Sequence, residues 1–379
     1  VAGQIRKRGE RTWLVRVYLG RDPATGKRRW LSRTVHGTKK DAEALLHRLL
    51  RDKDLGTLTV PSSMPLAEYL ERWLDESARH RVRPSTLAGY REQLARYVYP
   101  VLGARRLCDL SPLDIQVLFQ HMTARGLAPS TVRRVHARLK TALRVAVRMG
   151  LLPSNPLDRV DPVRVPRREM RVLSPQEARR FLDAAPEDRF GVLWWLLLET
   201  GLRPSEALAL KWEDLDLERG VLYVRRSLSW VGGRWRFEEP KTARARRSVP
   251  LSAQLVSALR HHRRAVLEQR LRAGSEWQEL GLVFCSEVGT PVDLSNLRNR
   301  SFKRILRRAG LPADLRPYDL RHSAATLLLL AGEHPKVVSE RLGHSTVALT
   351  LDTYSHALPT LQQQATEKIA SVLYGGRES

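Results

Sequence analysis

The sequence predicts a multidomain α+β chain: a small three-stranded sheet plus a helix, then a helical bundle, then a mostly α domain with a β-hairpin or small sheet. Three observations predict it. The first 35 residues hold β-branched and aromatic runs separated by a Pro/Gly turn. Residues 64–152 hold four segments with helical apolar periodicity, three of them opened by Pro beside Ser or Thr. After a stretch containing Pro153, Pro156, Pro162 and Pro166, the rest is mostly helical in pattern, with one Trp-containing hairpin.

Each element has its own local reason. Trp13 to Leu19 and Arg29 to Val35 read as strands around the turn Asp22-Pro23-Ala24-Thr25-Gly26-Lys27, and Gly3 to Arg8 reads as a third. Thr38 caps a helix running to about Asp54, with Asp41 placed for a capping box and Gly56 ending it. Thr57 to Ser63 is a short polar linker. Leu66, Tyr69, Leu70, Trp73 and Leu74 then mark a helix to about Arg79. Pro84-Ser85-Thr86 opens a second, ending near Pro100. Ser111-Pro112 opens a third, ended by Gly126. Pro129-Ser130-Thr131 opens a fourth, to Gly150, with Val132, Val135, Leu139, Leu143 and Val147 as its apolar stripe. The hairpin runs from Gly220 to Ser229, turns at Gly232-Gly233 and returns over Trp235 to Pro250. The expected domains are therefore 1–60, 64–152 and 173–379, with an extended linker over 153–172.

Charge narrows the function classes. The chain carries 66 Lys+Arg against 40 Asp+Glu over 379 residues, a net charge of +26. The excess is spread along it: 15 basic against 6 acidic in 1–60, 17 against 9 in 61–165, 34 against 25 thereafter. Such a distribution suits several surfaces touching one long polyanion; the bland alternative is an Arg-rich soluble chain. No apolar run approaches the roughly 18–20 residues that span a bilayer. Arg6, Lys7 and Arg8 are followed by no apolar core of a signal peptide. Cys108 and Cys285, far apart in sequence, make neither a disulfide framework nor a zinc site. A cytoplasmic protein is expected, with no membrane contact, no cofactor and no metal.

Basic residues on regular elements point to DNA. Arg6, Lys7, Arg16 and Arg29 lie on the predicted ribbon, whose width suits a major groove. Arg133, Arg134, Lys140 and Arg144 lie on or beside one exposed side of the fourth helix. Solvated faces are the alternative in both places. The run Arg260-His261-His262-Arg263-Arg264 reads as a solvated helix face and Trp194 to Leu198 as helix core.

Five islands in the last domain carry chemistry. Thr200-Gly201-Leu202-Arg203-Pro204-Ser205-Glu206 places Arg203 at a helix junction, with Glu206 three residues on to hold the guanidinium. Pro240-Lys241-Thr242 lies on the hairpin. Tyr318-Asp319-Leu320-Arg321-His322-Ser323, Leu342-Gly343-His344-Ser345 and Asp352-Thr353-Tyr354-Ser355-His356 follow. Each alone is weak: such an arginine is usually a structural ion pair, and such a lysine is usually solvated.

In this order and at these spacings the islands resemble the tyrosine recombinases of the phage integrase family. The resemblance extends over the chain. It likens the N-terminal sheet to an arm-type DNA-binding domain, the bundle to a SAM-like core-binding domain, and residues 173–379 to the catalytic domain with a C-terminal docking helix. It implies a site-specific recombinase, an integrase/excisionase of a phage or other mobile element. It implies cutting and rejoining through a 3′-phosphotyrosine and a Holliday junction, on core and arm-type sites of double-stranded DNA, as a homotetramer. A directionality factor and a host DNA-bending protein are possible accessories. The stretch Leu361 to Tyr374 docks on a neighbouring subunit by the resemblance, or packs on its own domain.

The resemblance also assigns roles. Tyr354 matches the nucleophile, whose phosphoester conserves the bond energy. Arg203 and Arg321 match the pair that clamps the phosphorane-like transition state, a task suited to a planar guanidinium fork. Lys241 matches the general acid for the leaving 5′-oxygen, and His344 a donor to a phosphate oxygen. Glu206 supports Arg203. One position departs. The family pattern is His-x-x-Arg, and Tyr318 stands where that histidine would be. A phenol of pKa about 10 is a poor base at neutral pH. Other readings are a DNA-binding regulator with weak catalysis and a relaxing enzyme of the type IB topoisomerase kind. Cleavage at a defined sequence separates the recombinase from both. An active enzyme with a softened base at this position is expected, so replacing Tyr318 with His should keep or raise the rate of DNA cleavage; a large loss contradicts this.

Overall fold

The computed structural model describes residues 3–21, 26–54, 64–166, 170–239, 246–344 and 346–348, with 351, 366, 369–370 and 373. The expectations for the Asp22–Thr25 part of the first turn, Gly56, the linker 57–63, Pro240-Lys241-Thr242, Ser345, Tyr354 with its island, and most of 361–374 lie outside the described residues. The chain divides into two compact units, Val1–Arg167 and Arg168–Ser379. Among the described residues, no helix is long and apolar enough to cross a membrane.

The first unit begins with β1 (Gly3–Gly9), β2 (Thr12–Arg21) and β3 (Arg28–His36), antiparallel in the order β1-β2-β3. Alternation along β2 sends Val15 and Val17 inward, where both are fully buried. They pack under α1 (Lys39–Asp54), which buries Ala42. The sheet and helix approach so closely at Gly3 that a Cβ there would meet Leu46 at 2.5 Å. Thr38 caps α1 as its sequence implies: its N–H donates to Asp41 Oδ2 at 2.7 Å, and the Asp41 N–H donates to Thr38 Oγ1 at 3.3 Å.

The bundle of the same unit starts with α2 (Leu66–Arg72), prolonged by a π-helical turn Trp73–Ala78. Next come α3 (Pro84–Gln93), a π-helical stretch Leu94–Val98, and α4 (Tyr99–Leu102). This helical run ends at Leu102, near Pro100 as expected, and Pro100 itself falls in the first turn of α4, where its missing N–H is least costly. The remaining helices are α5 (Pro112–Ala124), with Ser111 and Asp114 forming the capping box, and α6 (Pro129–Arg148). Leu70, Leu74, Leu94, Ile115, Leu118, Val135 and Leu139 form their shared core. The Tyr69 hydroxyl donates to the Ala142 carbonyl at 2.6 Å, tying α2 to α6.

The first half of the supposed linker is packed rather than extended. A 3-10 turn, Pro156–Arg159, buries Leu157 against the bundle. The Asn155 amide donates to the Lys140 carbonyl at 3.0 Å, and His136 Nε2 lies 3.3 Å from the Val160 carbonyl.

The second unit holds α7 (Pro175–Ala184), α8 (Gly191–Thr200) and the short α9 (Pro204–Ala207). Then come β4 (Leu215–Asp216), β5 (Val221–Val224), β6 (Ser227–Val231), β7 (Arg234–Glu238) and β8 (Arg247–Pro250). Helices α10 (Ala253–Ala273), α11 (Leu294–Leu297), α12 (Lys303–Arg308), α13 (Asp319–Leu330) and α14 (Pro335–Leu342) complete it. Phe181, Trp194, Phe302, Ile305 and Leu320 anchor the core. The Trp194 indole donates to Ser301 Oγ at 2.7 Å, and that hydroxyl donates to Asp188 Oδ1 at 2.6 Å.

The single hairpin expected over 220–250 is two sheets instead. Among the described residues, β5 pairs with β8 and β4, while β6 pairs with β7. The break falls at Arg225 and Arg226. At this break the buried Asp214 carboxylate lies 3.3 Å from Arg226 and 3.8 Å from Arg225. Gly232 and Gly233 then turn β6 into β7 at φ of 60° and 77°, as a tight two-residue turn requires. His262 also departs from expectation. It is half-buried: it lies 2.8 Å from the Val283 carbonyl and 5.2 Å, centroid to centroid, from Phe284.

Leu139→Ala, at the centre of α6, is expected to cost about 2–5 kcal/mol through lost burial and a residual cavity, read as a lowered urea midpoint with unchanged slope.

Candidate active site

Helix ends build this site. Helix α8 terminates at Gly201, in the left-handed region at φ 66°, and α14 terminates at Gly343, also at φ 66°. Such ends leave carbonyls without helical partners. Arg321, on the first turn of α13, takes up two of them. Its Nη1 donates to the Gly201 carbonyl at 2.6 Å and its Nη2 to the Leu342 carbonyl at 2.7 Å. The side chain is 1% exposed. Burial, then the neighbouring Arg203, pull its pKa down to about 10, so it remains charged at neutral pH. The partial negative charge of helix C-termini helps to hold that cation.

Arg203 lies where α8 hands over to α9. Pro204 starts the new helix, and Glu206 returns at its third position. Arg203 Nη1 donates to Glu206 Oε1 at 2.6 Å, and the Arg203 backbone N–H donates to Oε2 at 3.0 Å. Burial works against the Arg203 charge, but Glu206 and the Tyr318 hydroxyl more than offset it and raise the pKa. Glu206 is 4% exposed. Its burial opposes ionisation, yet Arg247 and then Arg203 keep its carboxyl below the ordinary range.

Sequence reasoning did not single out Arg247. It opens β8, donates from Nη2 to Glu206 Oε2 at 3.0 Å and from Nε to the Arg341 carbonyl at 2.6 Å. A signal for it exists: Arg247 and the buried Val249 share one face of the strand, so this arginine must point inward. Arg341 was missed as well. Its Nη2 reaches the Glu199 and Pro250 carbonyls at 3.2 and 3.3 Å, joining α14 to α8 and β8.

His344 follows α14 directly and lines a cleft of about 380 Å³ with Arg246, Arg247, Lys336 and Ser339. Burial, then Arg321 and Arg203, push its pKa down to about 4. The imidazole is therefore neutral at physiological pH. Tyr318, 42% exposed, borders Arg203 and meets His322 edge-on, with ring centroids 5.3 Å apart. The structure thus brings Arg203, Glu206, Arg321, His344 and Tyr318 together. Lys241 and Tyr354 lie outside the described residues.

The candidate DNA-contact residues divide by face. Arg6 and Arg16 sit on the side of the sheet away from α1, with Arg16 stacked 4.8 Å over the Trp30 ring. Lys7 pairs with Trp13 on the α1 side, 6.0 Å from its ring, and is exposed. Arg29 is exposed beside the bulge between Tyr18 and Gly20. On α6, Arg133, Arg134 and Arg144 are exposed, whereas Lys140 is engaged by Asp158 at 3.0 Å.

The depressed pKa of His344 has a sign. Between its ordinary 6.5 and about 4, the unfolded chain binds a proton that the folded chain refuses. Stability supplied here is complete above pH 6.5 and falls as pH drops toward 4. His344→Gln is expected to flatten that fall, measured as the urea midpoint against pH.

The profile of the phage integrase family matches residues 171–360, and that of the phage integrase N-terminal SAM-like domain matches residues 66–123. The chain is 31% identical to a tyrosine recombinase XerC-like protein of Caldanaerobacter subterraneus subsp. tengcongensis, over 96% of this chain and 97% of that one. It is also 31% identical to an integrase of Streptomyces ambofaciens, over 93% and 92% respectively. Its fold is similar to the Tn1549 transposon integrase solved with circular intermediate DNA, at TM-score 0.67 and 23% identity over 81% of this chain and 100% of that one. A lambda integrase tetramer bound to a Holliday junction matches at TM-score 0.55 and 19% identity, over 93% and 95%. With two profiles, near full-length relatives and this fold in agreement, the chain belongs to the phage integrase family of tyrosine recombinases, enzymes that cut and rejoin DNA by tyrosine transesterification.

Proposed function

We propose that the chain is the integrase of a phage or integrative element, acting at a defined attachment site. The observation that carries this reading is the pairing of Arg203 and Arg321 beside a neutral His344, held in place before any DNA arrives. Preorganised cations of this kind are worth most where phosphate charge develops in a transition state.

In this reading Tyr354 attacks the scissile phosphorus, its proton released to water. The 5′-oxygen leaves with a proton from Lys241. Arg203 and Arg321 clamp the non-bridging oxygens, and His344 donates one hydrogen bond to them. Tyr318 orients Arg203 and takes no proton. The α6 arginines Arg133, Arg134 and Arg144 hold core-site phosphates. Arg6, Arg16 and Trp30, on the open face of the N-terminal sheet, read an arm-type site in the major groove. The working species is a homotetramer on double-stranded DNA in the cytoplasm, with a directionality factor and a DNA-bending host protein as candidate accessories.

Covalent trapping tests this. The protein is incubated with labelled, nicked duplexes tiled across the flanks of its own gene, and denaturing gels compare it with Tyr354→Phe. A denaturation-resistant adduct on particular duplexes, lost in the variant, is the expected outcome. Binding without an adduct on any duplex favours a DNA-binding regulator. Adducts on every duplex favour a relaxing enzyme.

A further inference from the structure

Arg247 is a deeply placed cation of this site that the proposed chemistry leaves unused. Its side chain is 7% exposed, as deeply placed as the 5% exposed carboxylate it faces. Burying such a pair costs desolvation that its mutual attraction barely repays, so stability alone is weak grounds for its presence. Its geometry offers a better one. Two donors of one rigid guanidinium point at partners from different elements, Glu206 on α9 and the Arg341 carbonyl on the last turn of α14.

From this we infer that Arg247 is a positioning residue for the cleavage reaction, bridging the support of Arg203 to the helix end that presents His344. The inference rests on the recombinase reading above. Glu206 Oε2 accepts from both Arg247 and the Arg203 backbone, while Oε1 accepts from the Arg203 guanidinium. Fixing Oε2 from β8 therefore fixes the rotation of the carboxylate, and with it the direction of Arg203 Nη1. The second donor, on the Arg341 carbonyl, sets that carboxylate at a constant distance from residues 342–344. Arg321 reaches the same helix end through the Leu342 carbonyl. Both proposed phosphate clamps are thus referenced to one helix terminus, and Arg247 supplies the link for Arg203. Although Arg247 borders the cleft, two of its donors are taken up by Glu206 and the Arg341 carbonyl, so in this inference it acts through those groups.

The test uses the full chain and the nicked duplex on which wild type forms its adduct. Single-turnover adduct formation at saturating protein is measured beside the dissociation constant for the same duplex. R247M preserves bulk but removes both donors. R247K preserves charge, but a single ammonium lacks the fork that spans both partners. The expected order of saturated rates is wild type, then R247K, then R247M, with R247M slowed about 10–100-fold by the misdirected clamp. Dissociation constants are expected to stay within about threefold of wild type, since phosphate contacts elsewhere dominate affinity. Where R247M does not fold, R247K alone decides, by a slowed saturated rate at unchanged affinity. A wild-type saturated rate in the folded variants, or a loss confined to DNA affinity, overturns the inference. Absence of any adduct with wild type overturns the recombinase reading, and this inference with it.

Discussion

One buried carboxylate organises the candidate active site. Glu206 sits three residues beyond Arg203 and accepts from its side chain, from its backbone and from Arg247. Without it, two guanidinium groups would face one another in a partly desolvated pocket, where like charges repel most strongly. With it, their repulsion is offset and their orientations are set. The turn from α8 into α9, the inward face of β8 and the end of α14 all meet around this group. Each is needed for the others to hold their place.

Arg321 is stabilised by a different device. Its guanidinium is held by two helix C-termini, through the Gly201 and Leu342 carbonyls. Glycine is required at the first of these because the chain turns at positive φ and Leu342 packs against the space a side chain would fill. Dipolar partners neutralise the arginine less completely than a carboxylate would. Its residual field reaches His344 and, with burial, keeps that imidazole uncharged. An incoming phosphate would oppose the part of this shift that comes from the arginines and leave the larger part that comes from burial.

Local signals in the sequence determined much of this protein. Helix starts at Thr38 and Ser111 were legible because caps are satisfied by groups three residues away, and the start at Pro129 because proline suits the first helical turn. The Arg203–Glu206 pair was legible for the same reason, and so was the Gly232-Gly233 turn, where two glycines answer a backbone demand. The five islands carried the family resemblance through residue type and order alone. What only the tertiary structure decided are the partners distant in sequence. Where the hairpin splits, Arg225 and Arg226 meet Asp214, a partner outside the strand. The region after residue 152 packs because the Lys140 carbonyl on α6 accepts from Asn155. Arg247 reaches Glu206 and Arg341 across 41 and 94 residues of chain, and Arg321 reaches Gly201 across 120. A guanidinium has no local pattern that reveals which distant carbonyl or carboxylate it will meet; that choice is made by the packing of the helices and strands that carry them.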